Sequence, residues 1–258
     1  MILAIDMGNS NIKIGVVDSD GKVIEERVTT AADKTSMEYA MDIISILAFH
    51  GIKKSCIEGA VLSSVVPPLT GVISTAIRKV VGKSPLLVSN KIKMSIKLDR
   101  MKYPEKVGAD LLVGAEIAYN SYKSPVIIVN MGTATTITIV NEQAEYLGGV
   151  ILPGLKVSLN SLSNSAAQLP YISLETPGNV IGNNTIDCMR SGILYGNAAQ
   201  IDGIIERMEK ELSCKATVVA TGGLAKFVVP LCSHDIILDE TLLMKGLLAL
   251  YNKNKDEV

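Results

Sequence analysis

Two spacings of apolar residues alternate along this chain. Short runs with strand spacing come first: "ILAID" (2–6), "NIKIGVVD" (11–18) and "KVIEERVTT" (22–30). The last two are joined by "SDG", whose Asp20-Gly21 pair is a strong hairpin signal. Helical spacing follows in "MEYAMDIISILAFH" (37–50), with Thr35 and Glu38 as a capping box and Gly51 as the stop. Next come a strand "GAVLSSVV" (59–66), a helix opened by Pro67-Pro68, a short strand "PLLVS" (85–89) and a helix "ADLLVGAEIAYNSY" (109–122). The pattern then restarts with three strand-like runs, "VIIVN", "TATTITIV" and "AEYLGGVIL". Helices are expected over 154–168 and 184–212, then a strand "ATVVAT", Gly222-Gly223, and two helices around the strand "DIIL".

The restart is a repeat. "IDMGNSNIKIGV" (5–16) and "VNMGTATTITIV" (129–140) align without a gap, placing Gly8 on Gly132 and Asp6 on Asn130. A hairpin-first α/β unit used twice predicts two similar lobes facing each other across a cleft, over residues 1–122 and 123–258. The bland reading is one continuous sheet with two similar hairpins.

Composition removes several function classes. The chain has 258 residues, 48% of them hydrophobic, and a net charge of −1. No long basic stretch marks a nucleic-acid face, and no run is apolar for long enough to span a membrane. The start "MILAIDMGN" has no cationic region of the secretory kind. Cys56, Cys188, Cys214 and Cys232 are scattered and only two histidines accompany them, so reduced thiols in a cytoplasmic protein are expected, not zinc.

The first hairpin suits a phosphate. Asp6 ends a strand and can hold a metal-bound water, Gly8 lets a ligand approach the backbone, and Asn9, Ser10 and Asn11 supply donors, with Lys13 adding charge. The second copy offers Gly132, and "VVATGGLAKF" (218–227) brings Gly222 and Gly223 to a strand–helix turn against which an adenosine could lie. Each turn has an ordinary structural reading too, as a plain hairpin or a tight turn.

The chain resembles the actin-like ATPase and sugar-kinase superfamily, and in detail type III pantothenate kinases. The stretches that carry this are "DMGNSN" (6–11), "SSVVPPL" (63–69), "YPEKVGAD" (103–110), "MGTATT" (131–136), "GGVILPGL" (148–155), "LP" (169–170) and "IGNNTIDCMRSGILYG" (181–196). The resemblance implies two actin-like (ribonuclease H-like) lobes around a nucleotide cleft, and ATP-dependent phosphorylation of pantothenate, the first step of coenzyme A synthesis. It implies an ATP loop from Asp6 through Met7, Gly8, Asn9, Ser10, Asn11 and Ile12 to Lys13, with Asp6 on the magnesium side and Thr133 as a second ATP contact. It assigns Tyr103, Gly108, Ala109, Asp110, Leu111 and Thr185 to pantothenate, Asp110 as general base, and it implies a homodimer. Outside that frame Asp110 and Thr185 read as helix caps and Tyr103 as a packed ring. Helix 184–212, apolar at "ILYGNAAQIDGII", could serve a dimer or its own core.

Two positions depart from the family pattern. Leu111 stands where the family's "GADR" has arginine, and Asn130 stands where an aspartate ligates a monovalent cation such as potassium or ammonium. A smaller departure is Ala166, where threonine is common. An amide keeps a carbonyl oxygen for a cation but not the charge, and Leu111 cannot pair with an acid. The alternatives are therefore a catalytically impaired or regulatory homologue, or a kinase for a different small alcohol.

Overall fold

The computed structural model describes residues 1–18, 20–166 and 168–257; Ser19 of the expected "SDG" turn and Ala167 of the expected helix 154–168 lie outside the described residues. The chain forms two compact units, Met1–Asn120 with Thr241–Val258, and Ser121–Glu240. The expected lobe 123–258 thus gives up its last helix, which packs on the first unit's sheet instead.

In the first unit, β1 (Ile2–Met7), β2 (Asn11–Val17), β3 (Val23–Thr29), β4 (Gly59–Ser64) and β5 (Leu86–Leu87) form one sheet in the order β3-β2-β1-β4-β5. β1 pairs antiparallel with β2 and parallel with β4. Leu3, Ile5 and Met7 point to one face, where α1 (Ser36–Phe49) and α2 (Pro67–Val81) bury Tyr39, Ile43, Ile73 and Ile77. Each such fully buried side chain is worth about 1.5–3 kcal/mol in removal from water. Thr35 and Glu38 do form the capping box. The opposite face carries Ala4 and Asp6. The final helix α7 (Leu242–Asn254) covers β1, β2 and β4, and α3 (Ala109–Ser121) packs on α7. Glycines make that packing close: a Cβ on Gly59 would fall 1.9 Å from the Tyr251 hydroxyl, and one on Gly246 would fall 2.8 Å from the Val113 carbonyl.

The second unit repeats this plan. β6 (Val126–Met131), β7 (Ala134–Val140), β8 (Tyr146–Pro153), β9 (Thr217–Thr221) and β10 (Ile236–Leu238) run in the order β10-β9-β6-β7-β8, the same topology. On one face of its sheet lie α4 (Leu155–Ser165), α5 (Thr185–Leu212) and α6 (Ala225–Val228). Ile193, Leu194, Ala198, Ile201 and Ile205 of α5 are spent in this core.

The repeat is not gapless in space. Residues 8–10 separate β1 from β2, whereas only 132–133 separate β6 from β7. Asp6 pairs with Lys13, but Asn130 pairs with Thr136, not Ile137. The two second strands share one burial pattern when Lys13 is matched to Thr136. A one-residue slip would turn Ile137 away from the core, so the shorter turn preserves the buried face.

Candidate active site

Register places a charged row across the first sheet. Ser63 on β4, Asp6 on β1, Lys13 on β2 and Arg27 on β3 stand side by side on the α7 face. The Ser63 hydroxyl donates to Asp6 Oδ1 at 3.0 Å. Among the described residues Lys13 Nζ is buried without a hydrogen-bond partner, as is Oε2 of Glu25, two residue-pairs beyond Arg27 on β3. An ammonium held out of water is costly unless a charge meets it, and here the neighbouring Asp6 carboxylate does so electrostatically. Burial, then the negative charge of Asp110, pushes the Asp6 carboxyl up to about 6, while Lys13 and Ser63 pull it down. The turn is fixed from outside: Thr30 Oγ1 donates to the Gly8 carbonyl at 2.7 Å and Thr30 N to the Ser10 carbonyl at 3.1 Å. The Gly8 amide is used on the Asn11 carbonyl, 3.0 Å away, while the Asn9 and Asn11 side chains are exposed. Glu25 and Thr30 were not marked by sequence, and Ser63 entered only as the first residue of the "SSVVPPL" stretch. Only Ser63 left a signal there, a polar residue ending the apolar run "AVLSS".

Asp110 lies in the first turn of α3, with its carboxylate folded over the helix start. It accepts hydrogen bonds from its own backbone amide and that of Leu111, which favour its charged form, yet burial raises its pKa overall. Gly108 is required here, since a Cβ would fall 2.7 Å from Asp110 Oδ1. The capping duty and the buried, raised carboxylate therefore coexist in one residue. Leu111 follows, half-buried, with no charge to offer. Tyr103 is 49% exposed, so it is not a packed ring, and Lys106 Nζ sits 4.7 Å from its centroid.

The segment ahead of Tyr103 is held by a buried acid. Glu116 on α3, 1% exposed, accepts from Lys253 Nζ at 2.6 Å, Ser95 N at 2.7 Å and Ile96 N at 3.2 Å. Asn254 adds a two-way bond to the backbone of Lys93, at 2.8 and 3.0 Å. Beside these clamps lies a pocket of about 350 Å³, lined by Ile92, Met94, Leu98, Met101 and Pro104, with Asp99 also at its wall.

In the second unit the Gly132-Thr133 turn is braced by its neighbours. Gly154 N donates to the Thr133 carbonyl at 3.1 Å, and a Cβ on Gly154 would fall 2.4 Å from that oxygen. Gly222, at φ +101°, passes so near Met131 that a Cβ would fall 2.4 Å from its carbonyl, so its glycine is demanded by packing. Thr221 on β9, Asn130 on β6 and Thr136 on β7 form the row equivalent to Ser63, Asp6 and Lys13. Oγ1 of Thr136 and of Thr221 is buried without a partner, and so is Oγ1 of Thr135 on the opposite face. As a cation position this row has neutral oxygens to offer and no carboxylate. Thr185 begins α5 and is exposed; the cap is Asn184, whose side chain accepts from Asp187 N at 3.0 Å.

Among the described residues no three acidic, histidine or cysteine side chains cluster as a metal cage. Among the same residues no helix is long and apolar enough to cross a membrane. The fold has relatives among solved structures: component A of the (R)-2-hydroxyglutaryl-CoA dehydratase of Acidaminococcus fermentans is 16% identical with a TM-score of 0.57, covering 100% of this chain and 99% of that one. The inorganic polyphosphate/ATP-glucomannokinase of an Arthrobacter species is 13% identical with a TM-score of 0.51, over 100% and 99%. At these identities they speak for the two-lobed fold of actin-like ATPases and sugar kinases alone. Sequence relatives are much nearer. A type III pantothenate kinase of Geobacillus is 41% identical over 100% of this chain and 99% of its own. That of Halalkalibacterium halodurans is 40% identical over 98% and 100%. The family description for type III pantothenate kinases matches residues 2–207, and with the paired hairpins, the "GAD" carboxylate and these relatives together, the chain belongs to the type III pantothenate kinase family.

Proposed function

We propose that this protein transfers the terminal phosphoryl group of ATP to the 4′-hydroxyl of pantothenate, opening coenzyme A synthesis. The observation that carries this is the buried charged array of the first unit: the Lys13 ammonium beside Asp6, with the raised Asp110 carboxylate near enough to act on Asp6 electrostatically. The residues from Asp6 to Lys13 receive the phosphates, with Gly132 and Thr133 as further ATP contacts and the Gly222-Gly223 turn serving the adenosine. Tyr103, Gly108, Ala109, Asp110, Leu111 and Thr185 are assigned to pantothenate. Asp110 accepts the hydroxyl proton, and burial, by raising its pKa above the ordinary carboxylate value, makes it a stronger base for that step. Lys13 stabilises charge on the transferring group.

The donor set at Asp6 fits magnesium, a hard cation commonly held by one or two carboxylates and the substrate's phosphates. Magnesium there would neutralise phosphate charge, and Asp6 with its Ser63 partner would hold it. Asn130, Thr136 and Thr221 fit a potassium or ammonium ion only as neutral oxygens, so we propose weak occupancy. Retention of Asp6, Lys13 and Asp110 in one array supports a working kinase over a regulatory scaffold, despite Leu111 and Asn130.

A homodimer is part of the same reading. Ile151, Val157, Leu162, Tyr171, Val180 and Ile181 of the second unit are exposed, an apolar set that a second copy would cover. Four free, scattered cysteines suit a cytoplasmic enzyme. The test is nucleotide consumption by the purified protein: ADP should form when pantothenate is added and not with other small alcohols. ADP formation with another alcohol alone would move the assignment to that acceptor.

A further inference from the structure

Residues 89–106 carry six basic and two acidic residues in a chain whose net charge is −1. Two of the six converge on one ring. Lys106 Nζ lies 4.7 Å and Lys102 Nζ 5.4 Å from the centroid of the exposed Tyr103. A tight turn creates this: Pro104–Lys106 forms a single 3-10 turn, and Lys106 N donates to the Tyr103 carbonyl at 3.0 Å. Residue 106 is thereby brought back over residue 103. The ring face attracts the ammonium and reduces the freedom it must surrender on meeting an anion. Among the described residues neither lysine forms an ion pair with an acid, so both charges are available.

An acid substrate needs such a charge. Asp110 sits four positions beyond Lys106, at the end that would meet the substrate hydroxyl, and Leu111 has no cation to give. The neighbouring pocket offers no cationic side chain, and Asp99 at its wall repels a carboxylate. A molecule with a hydroxyl at one end and a carboxylate at the other is best served with its acid at the Tyr103 ring. We infer that Lys106, supported by Lys102, is the carboxylate anchor of the acid substrate, in the role that Leu111 cannot fill. The inference rests on the pantothenate reading above.

The test compares pantothenate with pantothenol, in which the carboxylate is replaced by a neutral alcohol, on the wild type, Lys106→Met and Lys106→Arg. For pantothenate KM is measured; for pantothenol either KM or its inhibition constant against pantothenate. Lys106→Met should raise KM for pantothenate about 10-fold, keep kcat, and leave the constant for pantothenol where it was. Lys106→Arg should restore most of the loss, and added salt should weaken pantothenate and not pantothenol. Equal effects on both compounds, or no effect on pantothenate, would overturn the anchor while leaving the kinase standing. A wild type that does not phosphorylate pantothenate at all would remove the reading beneath it as well.

Discussion

Ser63–Asp6–Lys13–Arg27 in the first sheet and Thr221–Asn130–Thr136–Ile151 in the second occupy equivalent places in equivalent sheets. The first row holds one negative and two positive side chains, and among the described residues the ammonium of Lys13 has no hydrogen-bond partner. The second holds none: its polar members are hydroxyls and an amide, and its outer member, Ile151, is 75% exposed and apolar. The two copies share strand order, the burial pattern of their first two strands and a glycine at each turn, but only the first row carries charge. Strand order is therefore shared between the units, while the charged side chains of these rows stand in the first alone, where the proposed function puts the phosphate and the reacting hydroxyl.

Making the first row resemble the second should have the largest effect. Asp6→Asn should lower kcat/KM for ATP by about 10²–10³-fold, measured at fixed magnesium. The same change should stabilise the ligand-free protein. The folded carboxyl titrates near 6 against an ordinary 3.8, so the fold holds its proton more tightly and loses stability as pH rises through that window. Asparagine does not titrate. Its advantage should open between pH 4 and 6 to as much as about 3 kcal/mol and vanish at pH 4, as denaturant titrations at several pH values would show. Lost stability at pH 7 would contradict the desolvated carboxylate.

The reverse exchange should act more gently. Asn130→Asp should make turnover rise with potassium by about 5-fold, worth roughly 1 kcal/mol, and should slow it when only a bulky organic cation is present. A variant indifferent to potassium would mean that the second row takes no cation even when charged. Smallest of all, Thr221→Val removes a buried hydroxyl that has no partner and keeps its shape. Stability should rise by about 1 kcal/mol in denaturant titration, and a fall of that size would show that the hydroxyl is satisfied in solution.

The order of strands and helices was legible because each element is locally consistent. The Thr35–Glu38 capping box, Pro67-Pro68 and the glycine stops all act where their spacing places them. Three features were not legible, for physical reasons. The extra residue in the first turn is invisible to an alignment that matches letters, since only strand pairing shows that Lys13 answers to Thr136. The return of α7 to the first sheet depends on partners far away in sequence, such as Gly59 for Tyr251 and Glu116 for Lys253. Tyr103 reads in sequence as a packed ring, and only the folded turn shows it exposed with two lysines against its face. Asp6 was singled out by its place at a strand end before a glycine turn, whereas Asp110 reads alone as a helix cap and owes its proposed role to the family resemblance. Ser63, Glu25 and Thr30 matter through contacts that no spacing encodes.

One experiment bears hardest on the division of labour between the units: mass-spectrometric detection of phosphopantothenate from purified protein, ATP, magnesium and pantothenate, for the wild type and Asp110→Asn. The wild type should yield the product only when every component is present. Asp110→Asn should fold normally by circular dichroism and yield about 10²–10⁴-fold less, because its proton acceptor is gone. Absence of product from the wild type, or undiminished product from Asp110→Asn, would contradict it.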